Sequence, residues 1–351
     1  MEQFGAKTYP EISSQTEALE AALAAAESSQ EWITKYLCND AFDEVVFIGS
    51  GSSFYQAQTM ASTYRVWTGR TASAWPSSEV FLFRDQALAT KRNYLLIGVS
   101  RSGESSEVIL ALKSVSDLPN WTLCGITCYE NSTMAQLCPC LVSPKGKEES
   151  TVMTKSFSSM TYMMQVATAI AAKHDKAVED LKSVPQLSAA VVKSADGFVK
   201  NIIDTNDFNK YIYLGMGAYF GLAQEACLKI KEMSYVWTES YGTLEFRHGP
   251  KSVVDEGTFI CVLLSEQAKD YEIKVAAEMK AYGASVLLIT AERTAEMDFA
   301  DAVFEIGGKQ LSDEARSVLY LPALQFLGYY CAIKKNVNPD NPRNLTQVVI
   351  I

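Results

Sequence analysis

Three ionisable side chains in the second half of the chain are spaced to do acid–base chemistry together. Glu225, Lys229 and Glu232 fall at i, i+4 and i+7 of a segment, Gly221 to Val236, whose pattern predicts a helix. At about 100° per residue they share an arc of about 60°. Ala223, Cys227, Ile230 and Ser234 form the opposite, small and apolar face. Two readings follow from the spacing. Exposed, the trio is a surface ladder in which Glu225 and Lys229 make a modest i,i+4 pair. Partly buried, a carboxylate beside an ammonium is held ready as a base. Further on, Glu245-Phe246-Arg247-His248-Gly249-Pro250-Lys251 reads as a polar loop stopped by Gly and Pro. His248 there is either a solvated loop residue or a proton shuttle, since imidazoles titrate near about 6.5.

The first half carries hydroxyls where an anion could sit. Ser100-Arg101-Ser102-Gly103-Glu104-Ser105-Ser106 follows an apolar strand, Tyr94 to Val99, and precedes a helical pattern from Val108. A helix N-terminus offers free N–H groups and the positive end of the dipole, so it can bind phosphate without a basic cluster. Ordinary serine N-capping is the alternative. A second loop, Gly49-Ser50-Gly51-Ser52-Ser53-Phe54, also joins a strand to a helix and puts donors on the same sheet edge. It is not a dinucleotide fingerprint, because Phe54 stands at the third glycine position and no acidic residue lies near Arg70.

The elements that must position these groups alternate as βαβα, which predicts an α/β fold with a parallel sheet covered by helices. The pattern is used twice. Val45 to Ser53 matches Tyr211 to Tyr219, Leu95 to Ser100 matches Ile260 to Ser265, and Gly125-Ile126-Thr127 matches Leu288-Ile289-Thr290, at offsets of 166, 165 and 163. The expected division is an N-terminal helical segment (1–40), a first α/β domain (41–185), a second (200–337) and a tail (338–351). Gln15 to Leu37 reads as one Ala-rich helix. Pro185 is expected to break the pattern at the joint, and Val348 to Ile351 to be strand-like.

Composition limits the partners. The chain has 351 residues, of which 48% are hydrophobic, and a net charge of -10. That balance argues against nucleic acid, so an anionic ligand has to be held locally. Met1-Glu2-Gln3 opens no basic leader and no apolar run is long enough to span a bilayer, so the expectation is a cytoplasmic protein without membrane contact. Eight Cys then read as reduced thiols, and Cys124, Cys128, Cys138 and Cys140 fit no common zinc spacing. No metal is expected.

Taken in order, Gly51-Ser52-Ser53, Ser100 to Ser105, the helix Glu225-x-x-x-Lys229-x-x-Glu232 and His248-Gly249-Pro250 resemble the motifs of the sugar isomerase (SIS) domain family. The resemblance extends to Val152 to Phe157 and Pro342 to Leu345. It is similar both to the isomerase half of glucosamine-6-phosphate synthase and to the tagatose-6-phosphate ketose/aldose isomerase group, which is linked to amino-sugar phosphate deamination. The resemblance implies two tandem SIS domains, each a flavodoxin-like three-layer sandwich. It also implies a phosphorylated amino sugar held by Gly51, Ser52, Ser53, Ser100, Arg101, Ser102 and Ser105. Glu232 would transfer the C1/C2 proton, supported by Glu225 and Lys229, and His248 would come from the other subunit of a homodimer to assist ring opening. The tail would return to the site, with Gln347 where the synthase has a lysine. No cofactor is required. Without a glutaminase segment, deamination with isomerisation is expected ahead of amination. A fructosamine-6-phosphate deglycase, a plain ketose/aldose isomerase and a phosphosugar-binding regulator are the alternatives.

Overall fold

The computed structural model describes residues 4–349 and 351. Met1, Glu2 and Gln3, on which the reading of the N-terminus drew, and Ile350 of the tail lie outside them. The chain forms two compact units, one of Ser14–Pro185 with Thr346–Ile351, the other of residues 4–13 with Gln186–Leu345.

In chain order the helices of the first half are α1 (Thr8–Ser13), α2 (Gln15–Ser28), α3 (Gln30–Tyr36), α4 (Ser52–Thr68), α5 (Ser77–Ala87), α6 (Ser106–Val115), α7 (Thr133–Leu137) and α8 (Lys155–Ala171). They surround β1 (Glu44–Gly49), β2 (Ala72–Pro76), β3 (Tyr94–Val99), β4 (Trp121–Thr127) and β5 (Cys140–Val142), save α1, which belongs to the other unit. The sheet is wholly parallel in the order β2-β1-β3-β4-β5. Because helices cover both of its faces, β1 and β3 are buried at every position and read as continuous apolar runs rather than alternating ones. Val46, Ile48 and Leu96 pack with Val108 and Leu112 of α6, whereas Phe47 points to Tyr64 of α4 on the opposite face. Side chains of this size each contribute about 1.5–3 kcal/mol on burial.

The second half repeats the plan. After α9 (Asp175–Thr205) come β6 (Lys210–Leu214), α10 (Phe220–Ser234), β7 (Thr238–Tyr241), β8 (Thr258–Leu263), α11 (Lys269–Ala281), β9 (Ser285–Thr290), β10 (Ala302–Glu305), α12 (Asp313–Arg316) and α13 (Leu321–Lys334). Its sheet order, β7-β6-β8-β9-β10, is that of the first sheet element for element. The duplication is therefore present in topology as well as in sequence. Gly51 and Gly217, which follow β1 and β6, both adopt φ of +57°, a left-handed turn that glycine enters without strain.

Three local expectations are corrected. The stretch Gln15 to Leu37 is two helices, since Ser29 leaves helical geometry while its hydroxyl bonds back to the Ala25 carbonyl at 2.7 Å. Among the described residues of the tail there is no strand. Asn338 and Asp340 instead bond the backbone at the start of α1, where the Asp340 carboxylate accepts from the Thr8 N–H and hydroxyl, both at 2.8 Å. Pro185, expected to stop a helix, lies inside α9. Proline removes the N–H that should reach the carbonyl four residues back. That carbonyl, Leu181, is satisfied by the hydroxyl of fully buried Tyr162 at 2.6 Å. The proline is tolerated because a tertiary donor replaces the missing one.

Two predictions follow. Tyr162→Phe leaves the Leu181 carbonyl without a donor and should lower stability to unfolding in urea by about 1–3 kcal/mol. Glu272, in the first turn of α11, is fully buried; it accepts from the Ser265 N–H (2.7 Å) and hydroxyl (3.0 Å), while its other oxygen has no partner. Burial pushes its carboxyl up to about 7. The unfolded chain then ionises this group first as pH rises, so its contribution to stability falls between the ordinary carboxylate range and pH 7. Glu272→Gln should remove that fall and raise stability at pH 8 by on the order of 2 kcal/mol, read from urea unfolding at pH 5 and pH 8.

Candidate functional site

In the first unit the serine loops singled out by sequence lie at the carboxyl edge of the parallel sheet, the usual ligand edge of such sheets, whereas in the second Glu225, Lys229 and Glu232 lie along α10, which runs back from the end of β6 towards the start of β7. In the first unit, β1 and β3 are neighbours, so the loops that follow them emerge side by side. The Ser100 hydroxyl is buried and accepts the Gly103 N–H at 3.0 Å, and it lies 3.3 Å from the Ser105 hydroxyl. Ser102 accepts the Glu104 N–H at 3.1 Å. Gly103 has φ of +67°, and an added Cβ would stand 2.2 Å from the Ser132 oxygen, so only glycine fits. Ser105 occupies the N-cap position of α6 without a side-chain cap bond, so ordinary capping is not its role. The Ser106 N–H is instead received by the Val349 carbonyl at 3.3 Å. The N–H groups of Arg101 and Ser102 have no acceptor among the described residues.

In the neighbouring loop Gly51 is exposed and Ser52 and Ser53 are buried, with the Ser53 oxygen 4.0 Å from the Met153 sulfur. Ser102 lines a cavity of about 340 Å³ together with Glu104, Asn131, Ser132, Lys147 and Gln347. The lining is polar, with hydroxyls, amides, the Glu104 carboxylate and a Lys147 ammonium that pairs with Glu130 at 3.1 Å.

Arg101, expected among the ligands of the anion, has its side chain turned inward. Its guanidinium is buried and engaged with the Glu148 carboxylate at 3.0 Å and with the carbonyls of Thr151 (2.9 Å), Val152 (3.2 Å) and Gln347 (3.3 Å). Through these bonds it ties the serine loop to the segment Glu148–Val152. Gln347 lines the same cavity, and its side-chain amide donates to the carbonyls of Glu149 (3.2 Å) and Ser150 (2.9 Å). Glu148 was missed by motif reading. Its carboxylate, with a fully buried side chain, also takes the Thr154 N–H and hydroxyl and the Ser156 N–H and hydroxyl at 2.6–3.0 Å.

In the second unit, Glu225 and Lys229 on α10 are each 1% exposed, so the surface ladder is overturned. The Lys229 ammonium lies 3.1 Å from Glu225 and 2.5 Å from Glu232, whose side chain is 18% exposed. Burial alone would push the ammonium down, but the two carboxylates raise it above the usual lysine value and keep it charged. The trio thus has one buried cation, one buried anion and one anion with an edge open to approach. His248 ends the short helical turn Glu245–Arg247 with an exposed side chain. The loop around it is tied to α11 by Glu278, which pairs with Arg247 at 2.9 Å and Lys251 at 2.6 Å. Among the described residues no group of three or more His, Cys, Asp or Glu could hold a metal ion, and the cysteines are free thiols.

Removing the cation discriminates a buried network from a ladder by magnitude. Lys229→Met strands two carboxylates and should cost about 3–5 kcal/mol in urea unfolding. A ladder pair would cost well under about 1 kcal/mol. Adding Glu225→Gln should recover part of the loss.

The SIS domain family matches residues 42–172 and 206–307, one segment on each repeat. Among curated relatives, the glutamine–fructose-6-phosphate aminotransferase (isomerizing) of Pyrobaculum aerophilum is 29% identical over 97% of this chain and 57% of its own length. The chain thus spans about half the length of the curated relatives it matches. Among solved structures, a tagatose-6-phosphate ketose/aldose isomerase from Escherichia coli superposes with a TM-score of 0.88 at 22% identity, covering 97% of this chain and 95% of that one. A glucosamine-6-phosphate deaminase from Thermotoga maritima gives 0.72 at 29% identity, covering 94% and 100%. With both repeats matched and the parallel sheets laid out alike, the chain belongs to the SIS domain family of phosphosugar isomerase enzymes.

Proposed function

We propose that the protein is an amino-sugar-6-phosphate deaminase/isomerase acting on a hexosamine 6-phosphate, with Glu232 as its base. The observation that carries this reading is the Glu225–Lys229–Glu232 network, in which a buried ammonium orders a carboxylate that keeps an open edge. The Thermotoga structure named a glucosamine-6-phosphate deaminase, 29% identical and covered over its full length, supports deamination.

The phosphate is taken by the loop Ser100–Ser106, through the N–H groups of Arg101 and Ser102 and the hydroxyls of Ser102 and Ser105, with Gly51, Ser52 and Ser53 beside it. Backbone donors suit a chain with a net charge of -10, where long-range attraction for an anion is lacking. Once the sugar ring is open, Glu232 removes the proton from C2 and returns it to C1. The product of that transfer is an imine at C2, to which water adds. The C2–N bond then breaks, releasing ammonia and a ketose 6-phosphate. One carboxylate serves both carbons because they are adjacent. His248, exposed on its loop, relays a proton during ring opening, contributed across a homodimer interface. The reaction so written needs no cofactor, and a cytoplasmic setting fits the reduced thiols. Among the described residues no helix is long and apolar enough to cross a membrane.

Glu232→Gln keeps the shape and removes the base. With glucosamine 6-phosphate and its epimers, ammonia release should fall by about 10²–10⁴-fold while substrate binding persists. Ammonia release at the wild-type rate rules Glu232 out as the base, and free amino acid from a fructosamine 6-phosphate in place of ammonia rules out the deaminase.

A further inference from the structure

The second repeat contains the same loop as the first, in a different state. Ser265 follows β8 as Ser100 follows β3, and each serine hydroxyl accepts an N–H from three residues on, Ala268 and Gly103, both at 3.0 Å. The next two N–H groups differ. In the first repeat those of Arg101 and Ser102 have no acceptor among the described residues. In the second, the Glu266 N–H donates to one oxygen of Asp313 at 2.9 Å and the Gln267 N–H to the other at 3.2 Å. The Tyr219 hydroxyl (3.0 Å) and the Arg316 guanidinium (2.9 Å) reach the same carboxylate. Tyr219 stands at the repeat position of Ser53, on the loop after β6, and β6 neighbours β8 as β1 neighbours β3. Arg316 is fully buried, and its Nε has no partner. Two backbone amides, a hydroxyl and a guanidinium thus converge from three separate segments on one anion.

The first repeat also has a buried carboxylate near its loop, but it is turned elsewhere. Glu148 is turned into a fully buried network with Arg101, Thr154 and Ser156 and accepts none of the loop's N–H groups. The ion pair made by the residue after the serine also changes polarity between repeats. Arg101 of the loop meets Glu148 in the first, whereas Glu266 of the loop meets Arg316 at 3.5 Å in the second.

We propose that the loop Ser265–Ala268 is a second oxyanion cradle whose permanent occupant is the chain's own Asp313 carboxylate. The sugar phosphate is thereby confined to the first repeat, and removal of that carboxylate opens a second site for phosphate. The inference rests on reading the Ser100–Ser106 loop as the phosphate site, and one titration separates the two ideas. Inorganic phosphate is titrated into the full-length wild type and Asp313→Ala, with the number bound per chain measured calorimetrically. One phosphate for wild type and two for the variant is the expected result. One for each overturns the second cradle and leaves the first-repeat reading intact. None for wild type and one for the variant upholds the cradle and removes the first-repeat site. Should Asp313→Ala not fold, Asp313→Ser, which keeps a short polar group at that place, carries the same measurement, and the absence of an added phosphate in that folded variant overturns the proposal.

Discussion

A backbone N–H that leaves the carboxyl end of a buried parallel strand has lost its ladder partner and must find another acceptor. Much of this molecule follows from how that constraint is met. In both repeats a serine at the strand end takes one such donor, and the two that follow are left for an anion. In the second repeat Asp313 supplies it. In the first no residue described does so, which makes the loop Ser100–Ser106 the place where a ligand completes the hydrogen bonding. The same geometry, inherited twice, thus yields a recognition site in one copy and an internal brace in the other.

Charge in the interior is handled by strict pairing. Arg101 and Glu148, Arg316 and Asp313, and Lys229 between Glu225 and Glu232 are buried or nearly so, and each cation meets its carboxylate within its own unit. Such pairs add little net stability, since desolvation offsets attraction, but breaking one is costly. Their value here is positional. Arg101 pins the strap Glu148–Val152 beside the serine loop, and Lys229 fixes the orientation of Glu232. Glu272 is a buried carboxyl paired with no cation among the described residues, and burial accordingly pushes it up to about 7.

Within the first unit the tail also serves the loop. Residues from Thr346 on group with the first repeat, although Asn338 to Leu345 group with the second. The Val349 carbonyl covers the first free N–H of α6, and Gln347 closes its amide on Glu149 and Ser150. A glutamine in this role seals a wall of the cavity by neutral hydrogen bonds, consistent with its amide having no nucleophilic amine to offer.

The sequence by itself determined the α/β class, the doubled order of strands, the serine loops and the helical face shared by Glu225, Lys229 and Glu232. These depend on periodicity, strand-end turns and spacing, all of which are local. It could not tell a surface ladder from a buried network, because i,i+4 spacing is identical in both; burial by α13 and the sheet decided it. Nor could it show that Arg101 faces Glu148, 47 residues away, or that Tyr162 supplies the donor that lets Pro185 stay in a helix. Which of two equivalent loops stands open was likewise decided by one carboxylate's reach across the chain, from Asp313 to Glu266. Hydrogen-bond partners distant in sequence are chosen by packing, and only the tertiary structure specifies packing.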